Sequence, residues 1–422
     1  MFDKLSLDVK HSMLNSLWLS FFLVAFVYAC VQWLFGGNLE IFSLMVKAIF
    51  DSSKLSLEVA LGLVGILCFW LGMMKIAEKA GLVDALARLL SPLLTKLMPE
   101  IPKNHPALGS MTMNIAANVL GLDNAATPMG LKAMQQMQEL NPNKDIASNA
   151  QILFLVLNAS SLTLLPVTIF MYRAQLGASD PTAVFIPILL ATSASTLVGL
   201  LSVAWMQKIN LLDKTILLHL LGVAAFIGTL IWFFSALPKE LQSSYSSFLG
   251  NFTMTGVVVW FLLAGFIKKV PVYETFIEGA KEGFEIAIRI LPYLVAMLVA
   301  VGVLRASGAF ELALDGIKWC VLALGMNADF VPALPTALMK PFSGSGARAM
   351  MIDTMKTYGA DSFPATVSAI IQGSTETTFY VLSVYFGAVN ISRVRHAIGC
   401  SLLADLAGVI AAIAVGYWFL HD

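Results

Sequence analysis

Charge is what this sequence has least of. Only 12% of its 422 residues are Asp, Glu, Lys or Arg and 58% are hydrophobic, whereas a soluble domain carries about a quarter charged residues. That balance excludes an ordinary water-soluble globule. The formal net charge is zero and no dense basic patch occurs, so composition gives no reason to expect nucleic acid as a partner. Cys30, Cys68, Cys320 and Cys400 stand singly in apolar stretches without CxxC spacing; they read as small core residues, neither disulfide framework nor metal ligands. No GxxxxGK[ST], GxSxG or HExxH pattern is present, and the histidines (His11, His105, His219, His396, His421) fall at termini, loop edges or span ends. Phosphate-loop and zinc-protease readings are therefore poor, and an intramembrane hydrolase, which needs a base beside a serine, ranks last; no catalytic residue, cofactor or metal is expected. A β-barrel is disfavoured as well, because no alternating ten-residue pattern recurs.

Long apolar runs are what is there. "SLWLSFFLVAFVYACVQWLF" (16–35), "LEVALGLVGILCFWLGMM" (57–74) and "TILLHLLGVAAFIGTLIWFF" (215–234) reach the roughly 20 residues a helix needs to cross hydrocarbon. The first is too long for a signal peptide and lacks a small-residue cleavage pattern, so it reads as a retained span.

The chain also reads as two copies of one plan. "AEKAGLVDALARLL" (77–90) aligns with "LRASGAFELALDGI" (304–317), placing Gly81 on Gly308, and "NASSLTLLP" (158–166) overlays "QGSTETTFY" (372–380). Each copy runs through a span (15–35; 247–267), a short amphipathic segment (40–53; 272–284), a second span (57–76; 286–305) and an amphipathic helix (82–98; 309–326). A region rich in turn formers (107–139; 331–358), a polar-centred span (149–172; 366–388) and a last span (182–206; 396–420) complete it. One extra span, 215–236, lies between them and makes the second copy inverted. The expected domains are 1–210, a linking helix 211–240, and 241–422. Lys and Arg in the short loops favour a cytoplasmic amino terminus. Inverted repeats with interrupted helices are the common plan of secondary transporters.

Within the first turn-rich region, Gly121, Asp123, Asn124, Thr127 and Pro128 specify a turn followed by a helix start. The second, "LPTALMKPFSGSGARAMMIDTM" (334–355), makes a flexible tip with Ser345, flanked by Lys340 and by Arg348, whose planar fork fits a carboxylate or phosphate. The polar-centred spans carry Asn158, Ser160 and Ser161 in one copy and Gln372, Ser374, Thr375 and Glu376 in the other. Their spacing covers nearly the whole helical circle, so Gly373 and Pro166 point to unwound backbone there. Glu376, which aligns with Leu162, is an ionisable group inside a span and thus a functional hypothesis. It is expected either to pair with Arg348 or Lys340 or to carry a coupling proton. Asn124, Thr127, Asn158, Ser160 and Ser161 would line one side of a solute site; Ser345, Arg348, Gln372, Ser374, Thr375 and Glu376 would line the other. Asp123 and Lys340 add charge at the tips.

Two long motifs carry a family resemblance. "MNIAANVLGLDNAATPMGLKAMQQMQ" resembles the spore maturation protein A family, and "MKPFSGSGARAMMIDTMKTYGADSF" with "QGSTETTFYVLSVYFGAV" resembles the spore maturation protein B family, both within the nucleoside-recognition or Gate domain group. The resemblance implies an all-α integral membrane protein of two inverted Gate repeats with broken helices and re-entrant hairpins. About nine full spans are expected, in an architecture similar to concentrative nucleoside transporters and sited in a bacterial inner membrane. The expected partners are the lipid bilayer and a small polar, anionic or zwitterionic solute, with H+ or Na+ as coupling ion and room for a homo-oligomer. A non-transporting membrane scaffold or envelope and spore-maturation factor is the alternative. Asp123 departs from the family pattern, in which glycine is expected before "NAATP".

Overall fold

The structure, a computed structural model, describes residues 7–121, 123–160 and 162–420; the side chains of 7–14, 123–125 and 240 lie outside that description. The described residues are helical throughout, with one isolated backbone bridge between Ile146 and Arg393. The order is α1 (Leu7–Gly36), α2 (Ile41–Lys79), α3 (Leu82–Leu97), then the helical pair α4 (Pro106–Val119) and α5 (Asp123–Leu140). An interrupted pair, α6 (Asn149–Ser160) and α7 (Val167–Gln175), is followed by α8 (Phe185–Gln207) and α9 (Lys214–Ser235). The same order then recurs: α10 (Lys239–Ile267), α11 (Val272–Ala306), α12 (Ala309–Ala323), the pair α13 (Leu334–Met339) and α14 (Gly344–Tyr358), the interrupted pair α15 (Phe363–Ser374) and α16 (Thr378–Gly387), and α17 (Ala397–Leu420).

Seven of these helices are long and apolar enough to cross a membrane, and the chain is a multi-pass membrane protein. On α9 only Ile216 and Phe234 are buried, while Leu218 and Trp232 are each 70% exposed; such surface is stable only against hydrocarbon.

Two expected boundaries move. Segments 40–53 and 57–76 form the single 39-residue helix α2, and 272–284 joins 286–305 in the 35-residue α11. The polar stretch "DSSKLS" at 51–56 lacks Gly and Pro. Its serines bond back to the preceding turn instead of ending the helix, Ser53 Oγ to the Ile49 carbonyl at 2.7 Å and Ser56 Oγ to that of Ser52 at 2.7 Å.

Helices α2 and α11 lie along each other at the centre. Their approach is set by Gly279 and Gly283, spaced one turn apart: a Cβ at Gly279 would fall 2.3 Å from the Leu71 carbonyl oxygen, and one at Gly283 2.7 Å from that of Leu67. Small residues at this spacing let two membrane helices meet backbone to backbone. Ion pairs finish the seam at one end, Lys75 with Glu282 at 3.2 Å and Lys79 with Glu278 at 2.5 Å. The aligned Gly81 and Gly308 play matching parts, each in the left-handed region (φ 76° and 81°) just before α3 and α12, a conformation glycine reaches without steric cost.

Two reciprocal ties close the ends. In the last turn of α7, the fully buried Arg173 donates to the carbonyls of Asp180 (3.2 Å), Pro181 (3.2 Å) and Ala360 (3.0 Å) and pairs with Asp361 at 3.2 Å, joining the α7–α8 loop to the α14–α15 turn. The corresponding loop after α16 joins the α5–α6 turn: Ala147 N–H donates to the Arg393 carbonyl at 3.0 Å, Arg393 N–H to that of Asp145 at 3.0 Å, and Arg395 Nη1 to that of Ala147 at 3.0 Å.

Candidate functional site

Each polar-centred span is interrupted, the first at Pro166 and the second at Thr375, just beyond the still helical Gly373. The backbone leaves α6 before Pro166 and resumes as α7 at Val167; it leaves α15 at Ser374, is extended at Thr375 (φ −146°, ψ 171°), and resumes as α16 at Thr378. Ending a helix frees its last carbonyls and the first N–H groups of the next, and unmet backbone groups at membrane depth are costly. Here they meet each other. The Glu376 N–H donates to the Ala159 carbonyl at 2.8 Å, so the two interruptions touch. The adjacent helical pairs supply the remaining partners: Leu164 N–H donates to the Val119 carbonyl at 3.0 Å and Phe379 N–H to that of Pro341 at 2.9 Å. Lys340, buried in the turn before α14, donates through Nζ to the Gln372 carbonyl at 2.8 Å.

A small cavity of about 90 Å³ lies at this junction, lined by Thr163, Thr168, Lys340, Arg348, Gln372 and Glu376 among others. Its lining carries two cationic side chains and one carboxylate, that of Glu376. The lysine and arginine face the cavity, and the first turns of α7 (Thr168) and α14 (Gly344) open onto it, adding the positive ends of two helix dipoles. Ser343 caps α14, its Oγ accepting the Gly346 N–H at 3.0 Å, and Ser345 Oγ lies 3.1 Å from that hydroxyl. Arg348 sits with its guanidinium carbon 5.5 Å from the Tyr172 ring centre. Gln372 is 7% exposed and its Oε1 meets no donor among the described residues. Larger hollows of about 580 and 510 Å³ lie at the two end ties, lined in part by Arg395 and Arg173. Neither is lined by a residue of the two interruptions, so the smaller cavity is the better candidate for a solute site.

Of the residues expected from sequence, Lys340, Arg348, Gln372, Thr375 and Glu376 line this cavity. Glu376 is exposed at its rim, and the bond it makes to the first half comes from its backbone N–H. Asn158, Ser160 and Ser374 are buried beside it and already bonded. Asn158 Oδ1 accepts from Asn118 Nδ2 at 2.8 Å and Tyr385 Oη at 3.3 Å, and its Nδ2 donates to the Phe154 carbonyl at 2.9 Å. Ser160 and Ser374 hydroxyls return to their own helices, to the Leu157 carbonyl at 3.4 Å and the Ile371 carbonyl at 2.9 Å. Thr127 is half-buried on α5 and Ser345 belongs to the cap of α14. The side chains of Asp123 and Asn124, and Ser161, lie outside the described residues.

Three participants went unread in the sequence. Asn114 Nδ2 bonds the Ala126 carbonyl at 2.8 Å and Tyr385 Oη at 3.1 Å, and with Asn118 builds the network around Asn158. Asp405, on α17, accepts the Thr378 hydroxyl at 2.7 Å directly behind the second interruption. The signal for Asp405 was present: it is the one charged residue in the 24-residue run of α17, the same criterion that singled out Glu376.

Paired interrupted helices flanked by helical pairs, closing on a charged junction inside an apolar bundle, define a helical multi-pass membrane protein with a polar interior junction. The chain belongs to the Gate family, described as nucleoside recognition, whose profile matches residues 60–175 and 287–392. Two relatives from Bacillus subtilis (strain 168) are similar to parts of it. Spore maturation protein B is 50% identical over 159 residues, 38% of this chain and 88% of that protein; spore maturation protein A is 41% identical over 183 residues, 43% of this chain and 90% of that protein. The two matches together are consistent with a fusion of an A-like and a B-like part.

Proposed function

We propose that this chain is an inner-membrane secondary transporter of a small polar solute, anionic or zwitterionic, working by alternating access. In this reading residues 1–210 and 241–422 are inverted repeats joined by a linking helix within 211–240, and the amino terminus is cytoplasmic. The two interrupted pairs, added to the seven long helices, complete the nine crossings. The solute sits between the interruptions, with Asn124, Thr127 and Ser161 approaching from the first hairpin and break. H+ or Na+ drives the cycle, and no chemistry is performed on the solute.

The observation that carries the reading is the Glu376 to Ala159 backbone bond over a cavity lined by Lys340 and Arg348. Irregular backbone at membrane depth persists where it lines a polar space, and the positive charges there match a carboxylate or phosphate. Size argues for a solute of few heavy atoms, because about 90 Å³ is well under the several hundred Å³ of a drug-sized pocket.

The test is exchange of radiolabelled phosphate, acetate and glycine across proteoliposomes. The native protein is expected to exchange at least one of them, Arg348→Ala to lose that exchange, and Glu376→Gln to alter its rate. No exchange of any probe, together with no probe-induced shift in melting, would remove the reading. The second reading, a non-transporting scaffold or spore-maturation factor, draws on the saturated bonds of Asn158 and on the smallness of the cavity. It gains if that outcome is found.

A further inference from the structure

One buried ionisable group has no task in the reading above. Asp405 is 5% exposed on α17; Oδ2 holds the Thr378 hydroxyl at 2.7 Å, the Thr375 side chain also acts on the carboxylate, and Oδ1 makes no well-formed hydrogen bond among the described residues. Two further buried hydroxyl oxygens in the same layer also lack partners: Ser401, one turn earlier on the same face of α17, and Ser195 on α8. Gly408 shows how tightly this face is pressed on the interruption. A Cβ there would stand 2.8 Å from the Thr375 methyl, 3.1 Å from Ser374 Oγ and 3.3 Å from Ser195 Cβ. Asp405 is thus one residue removed from the cavity, through Thr375, which lines it.

The charged groups that act on Asp405 are Lys340, from the turn before α14, and Glu376, from the interruption. Helices α6, α8 and α10 also pack on α17 and bring none to it. An ionised carboxylate with one oxygen unbonded is expensive at this depth. A single proton on Oδ1 removes that cost and makes the group a donor toward a hydroxyl. A metal cation would require a shell of several oxygens, for which one orphan carboxylate oxygen is a poor beginning.

We propose that Asp405 is the proton-binding site that couples this transporter, holding its proton more tightly while an anionic solute fills the cavity than when the cavity is empty. The proposal rests on the transport reading. The step is a simple transfer: a proton from water on one face forms the O–H bond at Oδ1, and the same bond breaks to water on the other. Coupling follows from charge. Ionised Asp405 offsets Lys340; neutral Asp405 leaves Lys340 and Arg348 to hold the anion. By reciprocity, the anion then strengthens proton binding by the same factor.

Two measurements test it. In lipid nanodiscs, infrared difference spectra on acidification should show the carbonyl stretch of a carboxylic acid. That band should be lost in Asp405→Asn, present and shifted in Asp405→Glu, and retained in Glu376→Gln. In proteoliposomes, exchange of whichever probe the native protein accepts should rise toward acid pH, and in Asp405→Asn that pH dependence should flatten. A band unchanged in Asp405→Asn, or a pH dependence unchanged, overturns the proton site. Absence of exchange by the native protein overturns the transport reading, and the native sample alone reports it.

Discussion

Lys340 and Gln372 are joined by a 2.8 Å bond from a buried ammonium to the backbone carbonyl near the end of α15. The lysine therefore does two things at once: it satisfies a carbonyl that the interruption set free, and it holds positive charge against the cavity.

Replacing Lys340 with Met keeps the stem and removes the donor. The Gln372 carbonyl then lies buried and unmet, at a cost of about 1–3 kcal/mol. Thermal melting in detergent should show a lowered midpoint, and probe-induced stabilisation should disappear with it.

The α2–α11 seam permits a sharper mutational contrast. Gly279→Leu would drive carbon into the Leu71 carbonyl and should destabilise by roughly 1–3 kcal/mol or more. Gly222→Leu on α9, where no atom lies within 4 Å, should melt as the native protein does.

Asn118 and Tyr385 share the Asn158 side-chain oxygen. A double-mutant cycle of Asn118→Ala and Tyr385→Phe should give a coupling of about 0.5–3 kcal/mol, measured by denaturation in mixed micelles. Simple additivity would mean that the two halves are not linked through this network.

Asp180, in the loop after α7, carries a testable pH dependence. Burial raises its pKa, but the hydroxyls of Ser247 and Thr182, the Thr182 N–H and Arg173 together outweigh burial and hold it below the ordinary aspartate value. A folded value depressed in this way stabilises the loop at all pH above the unfolded value of about 3.9. It is lost only as pH falls through the lower folded value. Hydrogen exchange of residues 178–184, corrected for intrinsic rates, should hold constant from neutral pH to about 5 and rise below about 4. Asp180→Asn should flatten that acid dependence.

Much of the plan was legible because backbone breakers are local. Pro166 marks the first interruption, Gly373 stands in the last turn of α15 just before the second, and the aligned Gly81 and Gly308 occupy equivalent left-handed positions. Side-chain direction was not legible. The six polar residues of 372–378 cover the whole helical circle, so pattern alone left open which would face the cavity; tertiary contacts turned Gln372 and Thr375 inward and Glu376 to the rim. Helix continuity at 51–56 also escaped, since serines read as loop formers when their bonds to the preceding turn are unseen.

The ties at the two ends have a further consequence. The bonds of Arg173 to Ala360 and Asp361, and the backbone and Arg395 bonds of the second tie, cross between the earlier and the later part of the chain, and none is covalent. Two separate polypeptides, cut between α8 and α9, should therefore find each other in the bilayer and co-purify. The peptide connection raises the local concentration of partners that already recognise one another.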